Sequence, residues 1–112
     1  MSRWLMAAAV VLVLVGEAQA EVFSGNEFLK WCTNTPEGTE LACFGFLHAT
    51  AEMIKLVREI GTDAAFPCLP DNATVGQYRD IVVRWLNEHP ELRHEQALAA
   101  VIISLQEAFP CE

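Results

Sequence analysis

The chain has 112 residues, of which 53% are hydrophobic and four are cysteine, and its net charge is −8. This length suits one domain with a modest core, so covalent cross-links would add much to its stability. The acidic balance repels phosphate groups and argues against nucleic acid as a partner; it is compatible with a basic protein partner or simply with solubility.

The first twenty residues have the pattern of a cleavable export signal. Met1-Ser2-Arg3 carries one positive charge, an uncharged apolar run follows, and Ala18-Gln19-Ala20 is a small-residue cleavage box. The apolar run is shorter than the roughly 20 residues of a transmembrane helix, although an uncleaved anchor is the alternative. We therefore expect residues 1–20 to be removed and residues 21–112 to form a single exported helical domain without membrane contact.

The first predicted helix is short and begins at a capping box. Ser24 and Glu27 have the spacing in which the hydroxyl accepts from the glutamate amide while the carboxylate reaches back. Phe23 and Phe28 occupy the positions of a hydrophobic staple across this cap. The helix should extend to about Cys32, because a segment containing Asn, Pro and Gly follows it.

The second predicted helix is long, from about Glu40 to Ile60, and is apolar around most of its circumference. Its polar side chains form one solvated stripe at helical spacing, which consists of His48, Glu52, Lys55 and Glu59. We expect so apolar a helix to be the centre of the fold, with the other helices around it. Gly45 weakens the helix by about 1 kcal/mol relative to alanine. Close approach of another helix at this point would explain why a glycine occupies the position. Gly61 ends the helix.

The third predicted helix follows a loop in which prolines flank Cys68. Thr74 and Gln77 form a second capping box, and the helix should end near His89 because Pro90 cannot continue it. Its apolar stripe consists of Tyr78, Ile81, Val82, Trp85 and Leu86.

The fourth predicted helix runs from about Glu91 to Phe109, where Pro110 stops it. Its predicted core stripe consists of Leu98, Val101, Ile102, Leu105 and Phe109. The sequence thus predicts an all-α fold, a compact bundle of about four helices whose short connections make neighbours antiparallel.

The four cysteines Cys32, Cys43, Cys68 and Cys111 all lie in the exported part. An even number in a short exported chain predicts two disulfides, whereas a zinc site would need tighter Cys and His clustering. Of the three possible pairings, antiparallel packing favours Cys32 with Cys43 and Cys68 with Cys111, and the other two stay open.

No pattern in the sequence points to catalysis. Paired cysteines supply no thiolate, and neither a marked pair of carboxylates nor a glycine-rich phosphate loop is found. His48 and Glu52 stand four residues apart on a helix and could hold a metal, but a solvated stripe is the preferred interpretation. We therefore expect neither enzymatic activity nor a cofactor or metal.

The polar connector between the third and fourth predicted helices is a candidate binding surface. Its candidate residues are Asn87, Glu88, His89, Glu91, Arg93 and His94. Function often resides in loops that a rigid scaffold holds, and this connector carries both signs of charge. The alternative is a plain solvated turn, which the residue types by themselves favour.

Four segments together resemble the Rap/Tai family of periplasmic immunity proteins, which neutralise type VI secreted peptidoglycan amidases. The segments are Cys43-Phe44-Gly45-Phe46, Cys68-Leu69-Pro70-Asp71, Trp85-Leu86-Asn87-Glu88-His89-Pro90-Glu91-Leu92-Arg93-His94 and Ala108-Phe109-Pro110-Cys111. The resemblance implies a disulfide-bonded all-α domain in the periplasm, often a homodimer. It also implies that the protein occludes the active site of a cognate amidase and does no catalysis itself.

Two other functional classes fit the size and the predicted location. A periplasmic acid-stress chaperone of the HdeA type is suggested by the many carboxylates, whose protonation could loosen a dimer, but that class resembles a single-disulfide design. A carrier of a small ligand or metal is permitted by the three histidines and the apolar bundle.

Overall fold

The computed structural model describes residues 23–33, 39–61 and 65–111, and the predicted export signal lies outside them. The described helices are α1 (Gly25–Thr33), α2 (Thr39–Ile60), α3 (Val75–Glu88) and α4 (Ala97–Ala108), with a short 3₁₀ helix (Pro90–Leu92) between α3 and α4. In these ranges the only β feature is an isolated antiparallel bridge between Ser24 and Gln96. The predicted all-α fold is confirmed. None of these helices has the length and apolar character that a bilayer span requires.

Helix α2 is not the centre of the fold. Helices α1 and α3 each pack against the three other helices, whereas the main contacts of α2 are with α1 and α3. The prediction of a central α2 is wrong because part of its apolar surface faces solvent: Leu56 is 55% and Ile60 77% exposed. The expected close helix approach at Gly45 is also wrong, since a Cβ built there meets nothing within 4 Å.

The core draws on all four helices. Its largest fully buried apolar side chains are Phe28, Leu47, Ile54, Val82, Leu86, Val101 and Leu105. Burying one such side chain stabilises the folded state by about 1.5–3 kcal/mol relative to leaving it in water. The apolar contact between helices is therefore the main source of stability.

Both predicted disulfides are confirmed. Cys32 is bonded to Cys43 and Cys68 to Cys111, with Cα atoms 5.2 Å apart in each pair. The bonds close loops with sequence separations of 11 and 43 residues. In the chain-entropy picture they stabilise the fold by about 3 and about 4 kcal/mol. The Cys68 amide also donates to the Phe109 carbonyl at 2.9 Å, which ties the loop before α3 to the end of α4.

The predicted caps place the starts of α1 and α3 correctly. At α3 the Gln77 amide donates to the Thr74 hydroxyl at 3.2 Å, and the Thr74 amide donates to the Gln77 side chain at 2.8 Å, so the capping box is complete. At α1 the Glu27 amide donates to the Ser24 hydroxyl at 3.3 Å.

The two predicted staple residues, Phe23 and Phe28, both contact the aromatic ring of Phe46. Phe23 and Phe28 both pack edge-on against Phe46 of α2, with centroid distances of 5.1 and 5.9 Å. The two side chains thus fix α1 against α2 as well as its own first turn.

Helix α4 begins at Ala97, six residues later than predicted. The backbone before it is engaged elsewhere, because the carbonyls of Arg93 and Glu95 accept hydrogen bonds from the first turn of α1. The predicted core stripe is correct for Val101 and Leu105, which are buried, but wrong for Leu98, which is 39% exposed. The small side chains of Ala97, Ala100 and Ser104 face inward instead.

Candidate functional site

The connector runs from Asn87, in the last turn of helix α3, to Gln96. His89 is the residue that caps the C-terminus of this helix. The His89 amide donates to the Leu86 carbonyl at 3.3 Å, and its Nδ1 lies 2.8 Å from the Trp85 carbonyl oxygen. The imidazole stacks on the Trp85 indole with ring centroids 4.1 Å apart. His89 is therefore half-buried and held by the end of the helix.

Arg93 folds back onto the same helix end. Its Nε donates to the Leu86 carbonyl at 2.8 Å and its Nη2 to the Asn87 carbonyl at 3.2 Å. These carbonyls lie in the last turn of α3, where intrahelical donors are absent and a cation is favoured by the helix dipole. Arg93 is thus a cap that holds the connector against α3.

The connector also binds the first turn of α1. The Gly25 amide donates to the Glu95 carbonyl at 3.0 Å and the Asn26 amide to the Arg93 carbonyl at 2.9 Å. The Ala97 amide returns a bond to the Phe23 carbonyl at 2.8 Å. The connector therefore satisfies helix-end amides that otherwise lack partners, and it joins three helices.

The six predicted site residues separate into two groups. His89 and Arg93 are half-buried and anchor the connector, whereas the other four are exposed: Asn87, Glu88, Glu91 and His94. Within the exposed group, the His94 Nε2 lies 3.3 Å from an oxygen of the neighbouring Glu95, and both side chains are well exposed. The exposed side chains of the connector are thus polar and mostly anionic, and His89 and Arg93 hold the backbone that carries them.

Next to the connector lies a hollow of about 160 Å³ between α3 and α4. Its polar lining includes Glu88 and Glu107 together with Arg84. The buried Trp85 indole donates to a Glu107 oxygen at 3.0 Å, which positions this carboxylate beside the connector. Sequence reasoning did not single out Glu107, because a lone exposed glutamate carries no motif; Trp85 in the α3 core stripe was the only nearby signal.

A second, larger hollow of about 360 Å³ lies beside it along α3. The two share Ile81, and the second is bounded by Pro70 and Phe109. Polar side chains at its edge are Asn72, Gln77 and Asp80. Arg79 pairs with the Asp80 carboxylate at 3.1 Å, so this hollow has a largely neutral rim.

The described residues contain no cluster of side chains that could hold a metal ion. No group of three or more His, Cys, Asp or Glu side chains in this part of the chain could hold a metal, and its four cysteines are paired. His48 and Glu52 are both exposed on α2, as expected of a solvated stripe.

Burial raises the pKa of Tyr78 above its ordinary value, and the Asp71 carboxylate adds to the rise. The Tyr78 hydroxyl is buried without a hydrogen-bond partner.

In the comparison with protein-family models, residues 24–111 match the model of the Rap1a immunity proteins. Comparisons with curated proteins and with solved structures give no match. The matched span includes the four described helices, both disulfides and the whole connector. The chain therefore belongs to the Rap1a immunity protein family.

Proposed function

We propose that this protein is exported to the periplasm, where it binds a type VI secreted peptidoglycan amidase and occludes its active site. Membership of an immunity protein family carries the proposal, because such a protein acts by binding a secreted effector. The chemistry of the described residues supports a binding role, since their exposed polar groups lie on an anchored connector and not around a reactive centre. The family resemblance also suggests that the protein acts as a homodimer.

The way in which the connector is held supports its use as the contact surface. Two side chains and three backbone bonds fix it to α1 and α3, so little conformational entropy remains to be lost when a partner binds. The exposed side chains Asn87, Glu88, Glu91 and His94 project from this fixed backbone. A rigid projection with polar side chains is suited to filling a groove in an enzyme.

The charge of the protein suggests which kind of surface it meets. Glu88 and Glu91 on the connector and Glu107 beside it are exposed carboxylates, and the whole chain carries a net charge of −8. Such a surface attracts a basic one, accelerates association and makes the rate depend on salt. We therefore propose that the amidase presents a basic rim around its active-site groove.

The test is inhibition of the amidase encoded beside this gene. The protein purified from the periplasm should form a stable complex with that enzyme and stop its hydrolysis of peptidoglycan. The Glu88→Lys and Glu91→Lys double variant should slow association by about tenfold, within the range that charge changes at one interface produce. The same reversal at Glu40 and Glu52, which are both exposed on α2, serves as the control with equal net charge.

Different results would reject different parts of the proposal. If the wild-type protein neither binds nor inhibits any neighbouring or co-delivered amidase, the inhibitory function is wrong. If it inhibits, but the connector variant associates as fast as the control, the contact surface lies elsewhere. Suppression of protein aggregation at acid pH, without binding to an amidase, would favour the chaperone class instead.

A further inference from the structure

We propose that the groove between α3 and the end of α4 binds an extended segment of the partner protein, in which a basic residue and an apolar residue stand two positions apart. The proposal rests on the proposed function for the identity of that partner, the secreted amidase, and adds the kind of segment that is recognised. The binding preference of the groove can be measured with peptides alone, so it can fail or succeed separately from amidase inhibition.

The groove consists of the two hollows beside the connector, which share Ile81 and have volumes of about 360 and 160 Å³. Their lining residues on α3 include four that repeat at intervals of four, three and four, and therefore lie on one side of the helix: Gln77, Ile81, Arg84 and Glu88. Because Glu88 also belongs to the connector, the groove leads directly into the proposed contact surface. A partner that covers the connector is thus in position to enter the groove as well.

The larger hollow suits an apolar side chain. Its lining includes four apolar residues that are only half-buried, namely Pro70, Ala73, Ile81 and Phe109. Covering them with another apolar side chain removes their remaining surface from water, which is favourable. The charge of Asp80 at the edge is already paired with Arg79 at 3.1 Å, so this hollow holds no strong attraction for a cation.

The smaller hollow suits a basic side chain. It has the carboxylates of Glu88 and Glu107 against the single guanidinium of Arg84, so its charge is net negative. The Trp85 indole donates to a Glu107 oxygen at 3.0 Å and holds this carboxylate in place, so little side-chain entropy remains to be lost there on binding. A carboxylate has further acceptor sites beyond the one that the indole uses, and these can receive an ammonium or guanidinium group.

The distance between the two hollows selects an extended segment. Their lining residues on α3 are centred about five residues apart, which is roughly 7–8 Å at the helical rise. In an extended chain, side chains two positions apart point to the same side and are about 6.5–7 Å from each other, whereas adjacent ones point to opposite sides. The exposed Asn72 and Arg84 at the edge of the groove can hydrogen-bond to the backbone of such a segment.

Titration of the isotope-labelled protein, purified from the periplasm, with capped five-residue peptides tests this preference by NMR. Peptides with arginine and leucine two positions apart, in either order, should bind with a dissociation constant of about a millimolar. They should shift the Trp85 indole resonance and the amide resonances of Ile81 and Ala108. Peptides in which arginine and leucine are adjacent, or in which glutamate replaces arginine, should bind at least fivefold more weakly.

Two variants test the groove in the complex with the amidase. Ala108→Arg places a guanidinium of this chain in the smaller hollow, at a helix end where the dipole favours a cation, and should weaken the complex at least tenfold without loss of stability. Ala99→Arg, exposed on the opposite side of α4, makes the same charge change and should leave the affinity unchanged. Glu107→Gln keeps an acceptor for the indole and should weaken the complex about threefold, whereas Glu52→Gln on α2 should have no effect.

Three outcomes would overturn the assignment of the groove. These are equal affinity for all the peptides, no shift of the groove resonances at about 10 mM peptide, and an amidase complex of Ala108→Arg as tight as that of Ala99→Arg. If the amidase is inhibited but one of these results is found, the groove is wrong and the proposed function stands. If the peptides bind with the expected preference but no amidase is bound or inhibited, the proposed function is rejected and the preference of the groove is confirmed.

Discussion

Gly25, in the first turn of α1, packs tightly against both α3 and the connector. A Cβ at this position would lie 2.8 Å from Cδ2 of Leu86 and 3.1 Å from the Arg93 carbonyl oxygen. Leu86 is fully buried, and that carbonyl already accepts the Asn26 amide, so neither atom can move away freely. Gly25→Ala should therefore strain the junction of α1, α3 and the connector.

The cost can be worked out from two opposing effects. Overpacking a tight site costs about 1–3 kcal/mol, while alanine gains at most about 1 kcal/mol of helix propensity over glycine. The net loss in the free energy of unfolding then lies between zero and about 3 kcal/mol, with a mid-range value of about 1–2 kcal/mol. For a domain of this size, each kcal/mol lowers the unfolding temperature by about 4–8 °C. Circular dichroism during heating, supported by urea titration, measures both quantities.

Gly76 provides the matched control, because it also lies in the first turn of a helix. A Cβ there would have the Thr74 hydroxyl oxygen as its nearest neighbour, at an ordinary contact distance of 3.8 Å. Gly76→Ala should therefore leave the unfolding temperature unchanged or raise it slightly. The reasoning is refuted if Gly25→Ala is as stable as Gly76→Ala, since the approach of the connector would then be loose enough to admit a methyl group.

Three further predictions concern single contacts. Glu107→Gln keeps an acceptor for the Trp85 indole and should change the free energy of unfolding by less than about 0.5 kcal/mol. Glu107→Leu leaves the buried indole donor unpaired and should lower the free energy of unfolding, measured by urea titration, by about 1–3 kcal/mol. Equal stability of the two variants would contradict this reasoning. Because burial raises the pKa of Tyr78, the folded state keeps its proton where the unfolded chain loses it, so stability should fall as pH rises above about 10. Tyr78→Phe should remove that fall, and tyrosinate absorbance reports on this residue specifically because the chain has one tyrosine. Replacing Cys68 and Cys111 together by serine should cost about 2–5 kcal/mol in the free energy of unfolding, and a smaller loss would mean that the hydrogen bonds around the bridge hold the loop unaided.

Local signals in the sequence were sufficient for the starts of α1 and α3, and the antiparallel packing of the helices was sufficient to favour the correct disulfides. The capping box at Thr74 and Gln77 depends on residues three apart, so it can be read without knowledge of the fold. The start of α4 could not be read in this way. It depends on the carbonyls of Arg93 and Glu95, which bond to α1 about seventy residues earlier in the chain. Hydrogen bonds between distant segments leave no periodic pattern in the sequence.

The error about α2 has a different physical origin. A helix that is apolar all round is normally buried on all sides, and this is why α2 was predicted to be central. The rule does not distinguish burial by the same chain from burial by another. Leu56 and Ile60 are exposed in the described structure, so the apolar pattern of α2 overstated how much of the helix its own chain buries.

The connector combines anchoring and exposed residues in one short segment, and this division bears on the proposed contact with an amidase. His89 and Arg93, with Trp85 beneath, hold the connector through contacts to the end of α3. The exposed residues next to these anchors, such as Glu88 and Glu91, do not take part in the contacts that hold the connector. They can therefore be replaced without changing the fold. Substitutions at the anchors should therefore lower stability first and binding only as a consequence. Substitutions at the exposed positions should alter affinity or partner at constant stability, so measuring both for each variant separates the scaffold from the recognition surface.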